Sequence, residues 1–231
     1  MDSIDLTVSH FVFPRMHPEG QRFVALAVLL AALAALLWWP LFLPGAGLAY
    51  AVYLFFRDPD RVTPAGPAVI VSPADGIVSI VDKVPIPAEL DAGGEPVWRV
   101  CVFMSVLDVH VNRMPAAGTV VKSRYIPGRF LNASLDKASE HNERRLYLLR
   151  TTGDKRMAVV QIAGLIARRI VSFVEEGQVL ACGERFGLIR FGSRVDVYLP
   201  PGAEPAVLPG QVMVAGETVI AKVRDHGENP H

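Results

Sequence analysis

The sequence predicts a mainly β domain, a sandwich or partly closed barrel, behind an N-terminal membrane helical hairpin. Three observations lead there. Residues 23 to 56 carry no charged side chain. The chain that follows turns to short β-branched runs punctuated by Gly and Pro, with no long helical periodicity. One turn-and-strand device, EEGQVLACGE and LPGQVMVAGE, occurs twice. A chain of 231 residues allows one substantial core with an appended segment. The mean hydropathy of +0.33 is high for a soluble domain, and the excess is concentrated near the N-terminus.

Residues 1–22 hold Phe11, Val12 and Phe13 beside Arg15, His17 and Arg22, which suits either an interfacial anchor or an ordinary tail. Residues 23–57 are the membrane segment, bracketed by Arg22 and Arg57. As one helix the apolar run would be about 50 Å long, well past a hydrocarbon core of roughly 30 Å. Pro40, Pro44, Gly45 and Gly47 are expected to break it into arms at 23–39 and 46–56, with both arginines on one side and Trp38 and Trp39 near an interface. The second arm is short, so shallow or re-entrant insertion fits as well. The run is too long and starts too late for a signal peptide, and an uncharged helix pair has no solvent face for a soluble fold. The positive-inside rule puts everything after Arg57 on the cytoplasmic side of the inner (cell) membrane.

Residues 58–231 form the β-rich domain, entered through the linker RDPDRVTPAGP. Strands are expected at 68–72, 76–82, 97–104, 117–125, 145–151, 156–162, 168–174, 194–199, 211–214 and 217–223, with a short helix at 135–143. The repeated device resembles the hammerhead turns of biotinyl and lipoyl domains, but no carrier lysine is suitably flanked.

Twenty-three basic residues balance 23 acidic ones, so no global field points to nucleic acid. Cys101 and Cys182 form no CxxC pair and read as buried thiols; no metal is expected. A zinc peptidase of lysostaphin-like fold would need an HxH, and His110-Val111-Asn112 lacks the second histidine.

Four stretches carry the candidate chemistry: SPADG at 72–76, DVHVNRMP at 108–115, YIPGRFLNAS with KASEHNER at 125–144, and FGS at 191–193. Gly192-Ser193 reads as a turn or as a cleavage site. In the second reading the Ser193 hydroxyl attacks the Gly192 carbonyl and the amide becomes an ester. Loss of the α-proton then eliminates the ester, leaving a dehydroalanine that hydrolyses to a pyruvoyl group and ammonia. Only a side chain with oxygen on Cβ supports that elimination, and glycine tolerates the strain. Asp75 sits in a tetrapeptide that forms turns and can also hold a carboxylate rigidly. His110 suits proton transfer at neutral pH; His141 reads as a surface residue.

In this order, downstream of an apolar segment, the four stretches resemble phosphatidylserine decarboxylase of the short membrane-bound type, across most of residues 57–200. The resemblance implies a pyruvoyl enzyme cut between Gly192 and Ser193 into a large and a small chain. Its cofactor would derive from Ser193, and it would act on a membrane lipid through a Schiff base to give phosphatidylethanolamine and CO₂. It implies that Asp75 supports self-cleavage by orienting and charging a histidine, and that His110 protonates the carbanion. Long-form enzymes carry a second histidine three positions later, where this chain has Arg113, so the self-cleavage base is left open. Arg113, Arg124 and Arg144 are the candidates for the lipid phosphate, chosen on charge and position. Homo-oligomerisation is left open. An archaeal-type ether serine lipid is an alternative substrate, and a non-catalytic membrane-tethered β-domain is the rival reading.

Overall fold

The structure is a computed structural model and describes residues 13–66, 68–128, 141–164, 169–190 and 193–223. It divides into two units, Met1–Asp60 and Arg61–His231.

The first unit is a helical hairpin. Helix α1 (Gln21–Leu37) and helix α2 (Phe42–Phe55) are joined by a single turn at Trp39–Leu41. Neither helix has a polar stripe, and at the tip Leu36, Leu37, Trp38 and Trp39 are 83%, 87%, 63% and 76% exposed. The bend is narrower than the sequence suggests. Pro40 sits in the middle of the connecting turn, while Pro44, Gly45 and Gly47 lie inside α2 rather than breaking it. Pro44 falls in the first turn of α2, where a missing N–H costs nothing. At the open end Phe23 stacks on Phe56 at 5.2 Å, the His17 N–H donates to the Phe56 carbonyl at 2.8 Å, and the Tyr53 hydroxyl donates to the Pro14 carbonyl. The stretch Pro18–Leu37 is long and apolar enough to cross a membrane, which is weak support for membrane association.

The second unit is β throughout. Its strands are β1 (Val69–Val71), β2 (Gly76–Val84), β3 (Val97–Met104), β4 (Val111–Arg113), β5 (Gly118–Ile126), β6 (Arg144–Thr151), β7 (Arg156–Ala163), β8 (Arg169–Ser172), β9 (Val179–Leu180), β10 (Arg185–Arg190), β11 (Ser193–Tyr198), β12 (Ala203–Pro205), β13 (Val212–Met213) and β14 (Val219–Val223). An eight-stranded sheet in the order β13-β2-β3-β11-β7-β6-β5-β9 curls into a half-barrel, flanked by the three-stranded sheets β1-β14-β12 and β4-β10-β8. The mainly β architecture behind an apolar helical hairpin is the one expected. The expectation missed β4, β9, β10 and β12, all short or polar; the helix expected at 135–143 falls largely outside the described residues.

The repeated device is the visible part of a larger duplication. Gly76 and Ile77 pair with Met213 and Val212, as Gly118 and Thr119 pair with Leu180 and Val179. The Gly210 N–H donates to the Val78 carbonyl and the Gly177 N–H to the Val120 carbonyl, at 2.8 and 2.7 Å. The bulges after Val78 and Val120 occupy the same place in each copy. Strands β1–β3 and β11–β14 therefore make one half and β4–β10 the other, the second inserted whole between β3 and β11. The central neighbours β11 and β7 join the halves.

Apolar side chains fill both faces of the large sheet. Val100, Val102, Tyr147, Leu149, Val195 and Val197 pack on one face, and Leu146, Leu148, Val160, Ile162 and Tyr198 on the other. This alternation is what a strand buried on both sides requires.

Candidate active site

Alternation of direction along the large sheet sets the site. The start of β2, the end of β3, the start of β11 and the end of β7 fall on one edge: Ile77 pairs with Phe103, and Ser193 pairs with Met104 on one side and Ala163 on the other. Ser193 is wholly buried, and its Oγ has no hydrogen-bond partner among the described residues. A buried hydroxyl without a partner costs about 1–3 kcal/mol. Gly192 and Phe191 lie outside the described residues.

Asp75 stands beside this edge. It precedes Gly76, whose φ of +140° and approach to Phe103 exclude any side chain: a Cβ there would come within 2.0 Å of the Phe103 carbonyl oxygen. The Asp75 carboxylate is held at both oxygens, Oδ1 accepting from the Ala215 N–H and Oδ2 from Arg61 Nη2, each at 2.7 Å. The duplication bears on its role. The turn Ser72-Pro73-Ala74-Asp75-Gly76 recurs as Met114-Pro115-Ala116-Ala117-Gly118, with reciprocal bonds from the Val71 N–H to the Pro115 carbonyl and from the Arg113 N–H to the Pro73 carbonyl, both 2.8 Å. Ala117 makes the same turn without a carboxylate, so the turn itself does not require Asp75.

His110 follows the turn that leaves β3 and is fully buried. Its backbone carbonyl accepts from the Ile189 N–H at 3.3 Å, at the end of β10, three residues short of Gly192. Its Nδ1 lies 2.8 Å from the Asp108 carbonyl oxygen. A carbonyl only accepts, so Nδ1 carries a proton, and in the neutral ring Nε2 is the basic nitrogen. Two residues on, Asn112 belongs to a buried chain: Tyr147 Oη donates to Gln161 Oε1 at 3.2 Å, and Gln161 Nε2 donates to Asn112 Oδ1 at 2.7 Å. Asn112 Nδ2 lies 3.6 Å from Met104 Sδ, beside the Ser193 pairing. Burial pushes the Tyr147 phenol up, which keeps it a neutral donor. Sequence reading missed Gln161 and Tyr147, since each is an isolated polar residue in an apolar strand.

The three candidate phosphate ligands do not converge. Arg144 opens β6 beside Ile162 and donates to Glu89 at 2.6 Å. Exposed Arg124, on β5, lies near the same edge, since Ile126 faces Arg144. Arg113 is buried and donates to the Gly183 carbonyl at 3.0 Å. His141 is exposed, as expected. Among the described residues no group of three or more His, Cys, Asp or Glu is placed to hold a metal ion. A cavity of about 580 Å³ lined by Lys83, Trp98 and Arg156 sits at the far end of β3 and contains none of these residues.

Behind Ser193, on the other face of β11, Arg194 and Asp196 are fully buried and joined at both ends, Nε to Oδ1 at 2.7 Å and Nη2 to Oδ2 at 2.9 Å. Arg99 lies 3.8 Å from Asp196 and is bidentate on Asp82. Burial, reinforced by Asp196, pushes the Cys101 thiol far up, so this cysteine stays protonated. Arg194→Met strands a buried carboxylate and should cost about 3–5 kcal/mol. Arg194→Met with Asp196→Asn should lose clearly less than the sum of the single changes. Thermal unfolding in detergent checks this; additive losses would mean that the two side chains act separately.

A family model described as phosphatidylserine decarboxylase matches residues 48–221. The phosphatidylserine decarboxylase proenzyme of Cereibacter sphaeroides is 56% identical over 219 residues, covering 95% of this chain and 94% of that protein. The proenzymes of Gluconacetobacter diazotrophicus, 58% identical with 92% and 96% covered, and Ruegeria pomeroyi, 54% identical with 90% and 95% covered, are similar along nearly their whole length.

Proposed function

The chain belongs to the phosphatidylserine decarboxylase family, and from that premise we propose that it is a proenzyme which cuts itself between Gly192 and Ser193 and then converts phosphatidylserine to phosphatidylethanolamine and CO₂. The observation that carries the reading is the Ser193 hydroxyl, buried and without a hydrogen-bond partner among the described residues, on the edge where β2, β3 and β11 meet.

The roles follow from the surroundings. Ser193 supplies the nucleophilic oxygen, and that oxygen leaves with the Gly192 carboxylate as the Cα–H of residue 193 is lost. Asp75 and His110 are the acid-base groups, Asp75 anchored at both oxygens and His110 with Nδ1 fixed. A pyruvoyl group formed at position 193 would supply, toward the serine headgroup amine, the electron-accepting carbonyl chemistry that pyridoxal phosphate supplies elsewhere. His110 delivers the proton that replaces CO₂. Arg144 and Arg124 end near the same sheet edge, but their cross-strand partners Ile162 and Leu146 put them on the face opposite Ser193, so they stand as candidates for the lipid phosphate on charge and position alone. Arg113 is better read as a brace between β4 and the Gly183 turn.

Cleavage yields a large chain ending at Gly192 and a small one of β11–β14. The small chain is woven into one half of the domain: β11 between β3 and β7, β13 on β2, and β14 on β1. It therefore stays in place when the peptide bond breaks. Treating the purified protein with borohydride in the presence of phosphatidylserine should abolish turnover and fix the substrate to the small chain. Full turnover after that treatment would remove the carbonyl from the mechanism.

The apolar hairpin brings the enzyme to a two-chain lipid that leaves the bilayer reluctantly, at the inner membrane with the β domain in the cytoplasm. Arms of 17 and 14 residues are about 26 and 21 Å long, so the tip reaches deep into a core of roughly 30 Å. High salt should leave the protein bound and detergent should release it, because transfer of apolar surface is not screened. In a Trp98→Phe variant the remaining Trp38 and Trp39 should be quenched by lipids brominated deep in the chain. Quenching only by headgroup-level probes would mean the hairpin lies on the surface.

A further inference from the structure

Arg61 lies in the linker, outside the four stretches that carry the candidate chemistry. We infer that it is a positioning residue for self-cleavage, holding the Asp75 carboxylate in its working orientation; this rests on the role proposed above for Asp75.

The contact is built from both sides. Arg61 Nη2 meets Asp75 Oδ2 at 2.7 Å, and the two side chains are only 15% and 14% exposed, so solvent screens the pair much less than it would at the surface. The next residues are pinned as well. The Val62 N–H donates to Glu217 Oε1 at 2.8 Å. Thr63 packs over Gly183, where a Cβ would come within 1.9 Å of Thr63 Oγ1 and φ is +78°. Glu217 and Ala215 belong to the same turn, and the Ala215 N–H holds the other oxygen of Asp75. Linker and turn thus each hold one oxygen of the carboxylate and leave it little freedom to rotate.

The duplication isolates what this contact is for. In the second half of the domain the same turn carries Ala117, with no carboxylate to orient. At the equivalent of Glu217, Glu184 accepts from the Ala181 N–H of its own turn at 2.8 Å, so that copy holds its shape with bonds made inside the turn. The half that carries Asp75 has, in addition, a cation from the linker. A charge-assisted hydrogen bond of this kind both fixes direction and favours the ionised carboxylate.

The test follows maturation of newly synthesised full-length protein in detergent, as the fraction cut against time, for Arg61→Ala, Arg61→Lys, Asp75→Asn and the double variant Arg61→Ala with Asp75→Asn. Arg61→Ala should cleave about ten- to a hundredfold more slowly. Arg61→Lys should recover most of the rate, and added guanidinium should partly rescue Arg61→Ala, which a mere packing defect would not allow. In the Asp75→Asn background the loss of Arg61 should change the rate by no more than about twofold, the signature of two groups acting as one. If Arg61→Ala does not fold, Arg61→Lys and Arg61→Gln decide the matter by whether cleavage follows the charge. Normal cleavage by Arg61→Ala, or losses that multiply with Asp75→Asn, would overturn the inference. Normal cleavage by Asp75→Asn would instead overturn the role of Asp75 itself, so the two failures are distinguishable.

Discussion

Ser193→Ala should leave the protein as a single chain of 25.1 kDa with no decarboxylase activity. Nothing else about the fold should change. Ser193 contributes a buried hydroxyl without a partner among the described residues, and removing such a group costs no hydrogen bond and relieves a desolvation penalty. The variant should therefore be at least as stable as the uncut precursor, with its strand still paired to β3 and β7. A denaturing gel and a decarboxylation assay check both halves of the expectation. Activity retained by an uncut Ser193→Ala chain would separate catalysis from cleavage altogether.

His110→Gln should lower turnover by about 10²- to 10⁴-fold, the usual contribution of a positioned acid or base. Glutamine is close in volume and can donate an N–H to the Asp108 carbonyl, so the turn between β3 and β4 should survive while the basic Nε2 is lost. The decarboxylation rate falls in any case; the fraction of cut chain shows whether the same residue also serves maturation. Complete failure to cut would give His110 both tasks, and slow but complete cutting would leave Asp75 and its surroundings with the first. Turnover within about threefold of the parent would remove His110 from the chemistry.

The sequence carried the architecture further than the details of its edges. Strand β3 was legible residue for residue, because VWRVCVFM is a continuous apolar and β-branched run bounded by turns. Strands β4 and β10 were not: VNR is short and polar, and RFGLIR holds a glycine and charged ends, so neither shows a period. Asp75, His110 and Ser193 stand out in the sequence through motif order, as candidates. The placement of Asp75 beside the sheet edge that holds Ser193 was not legible, because it depends on β2 and β11 both flanking β3 across the insertion of β4–β10. The likeness of the two turn-and-strand segments was the one visible sign of that duplication. Arg61 was invisible for a different reason, since an arginine in a proline-rich linker looks solvated until its long-range partner is known. The buried Arg194 and Asp196 pair was hidden by alternation: SRVDVY reads as a half-exposed strand, and both of its faces are covered.

The most direct test of the central claim is the intact mass of the purified wild-type protein. Self-cleavage at Gly192-Ser193 predicts two chains, residues 1–192 with a free carboxylate and residues 193–231 lighter by one ammonia than the corresponding peptide with an N-terminal serine. Together they should equal the uncut chain plus one water less one ammonia. A single uncut chain in an active preparation, or a small chain that begins with an unmodified serine, would contradict the pyruvoyl mechanism.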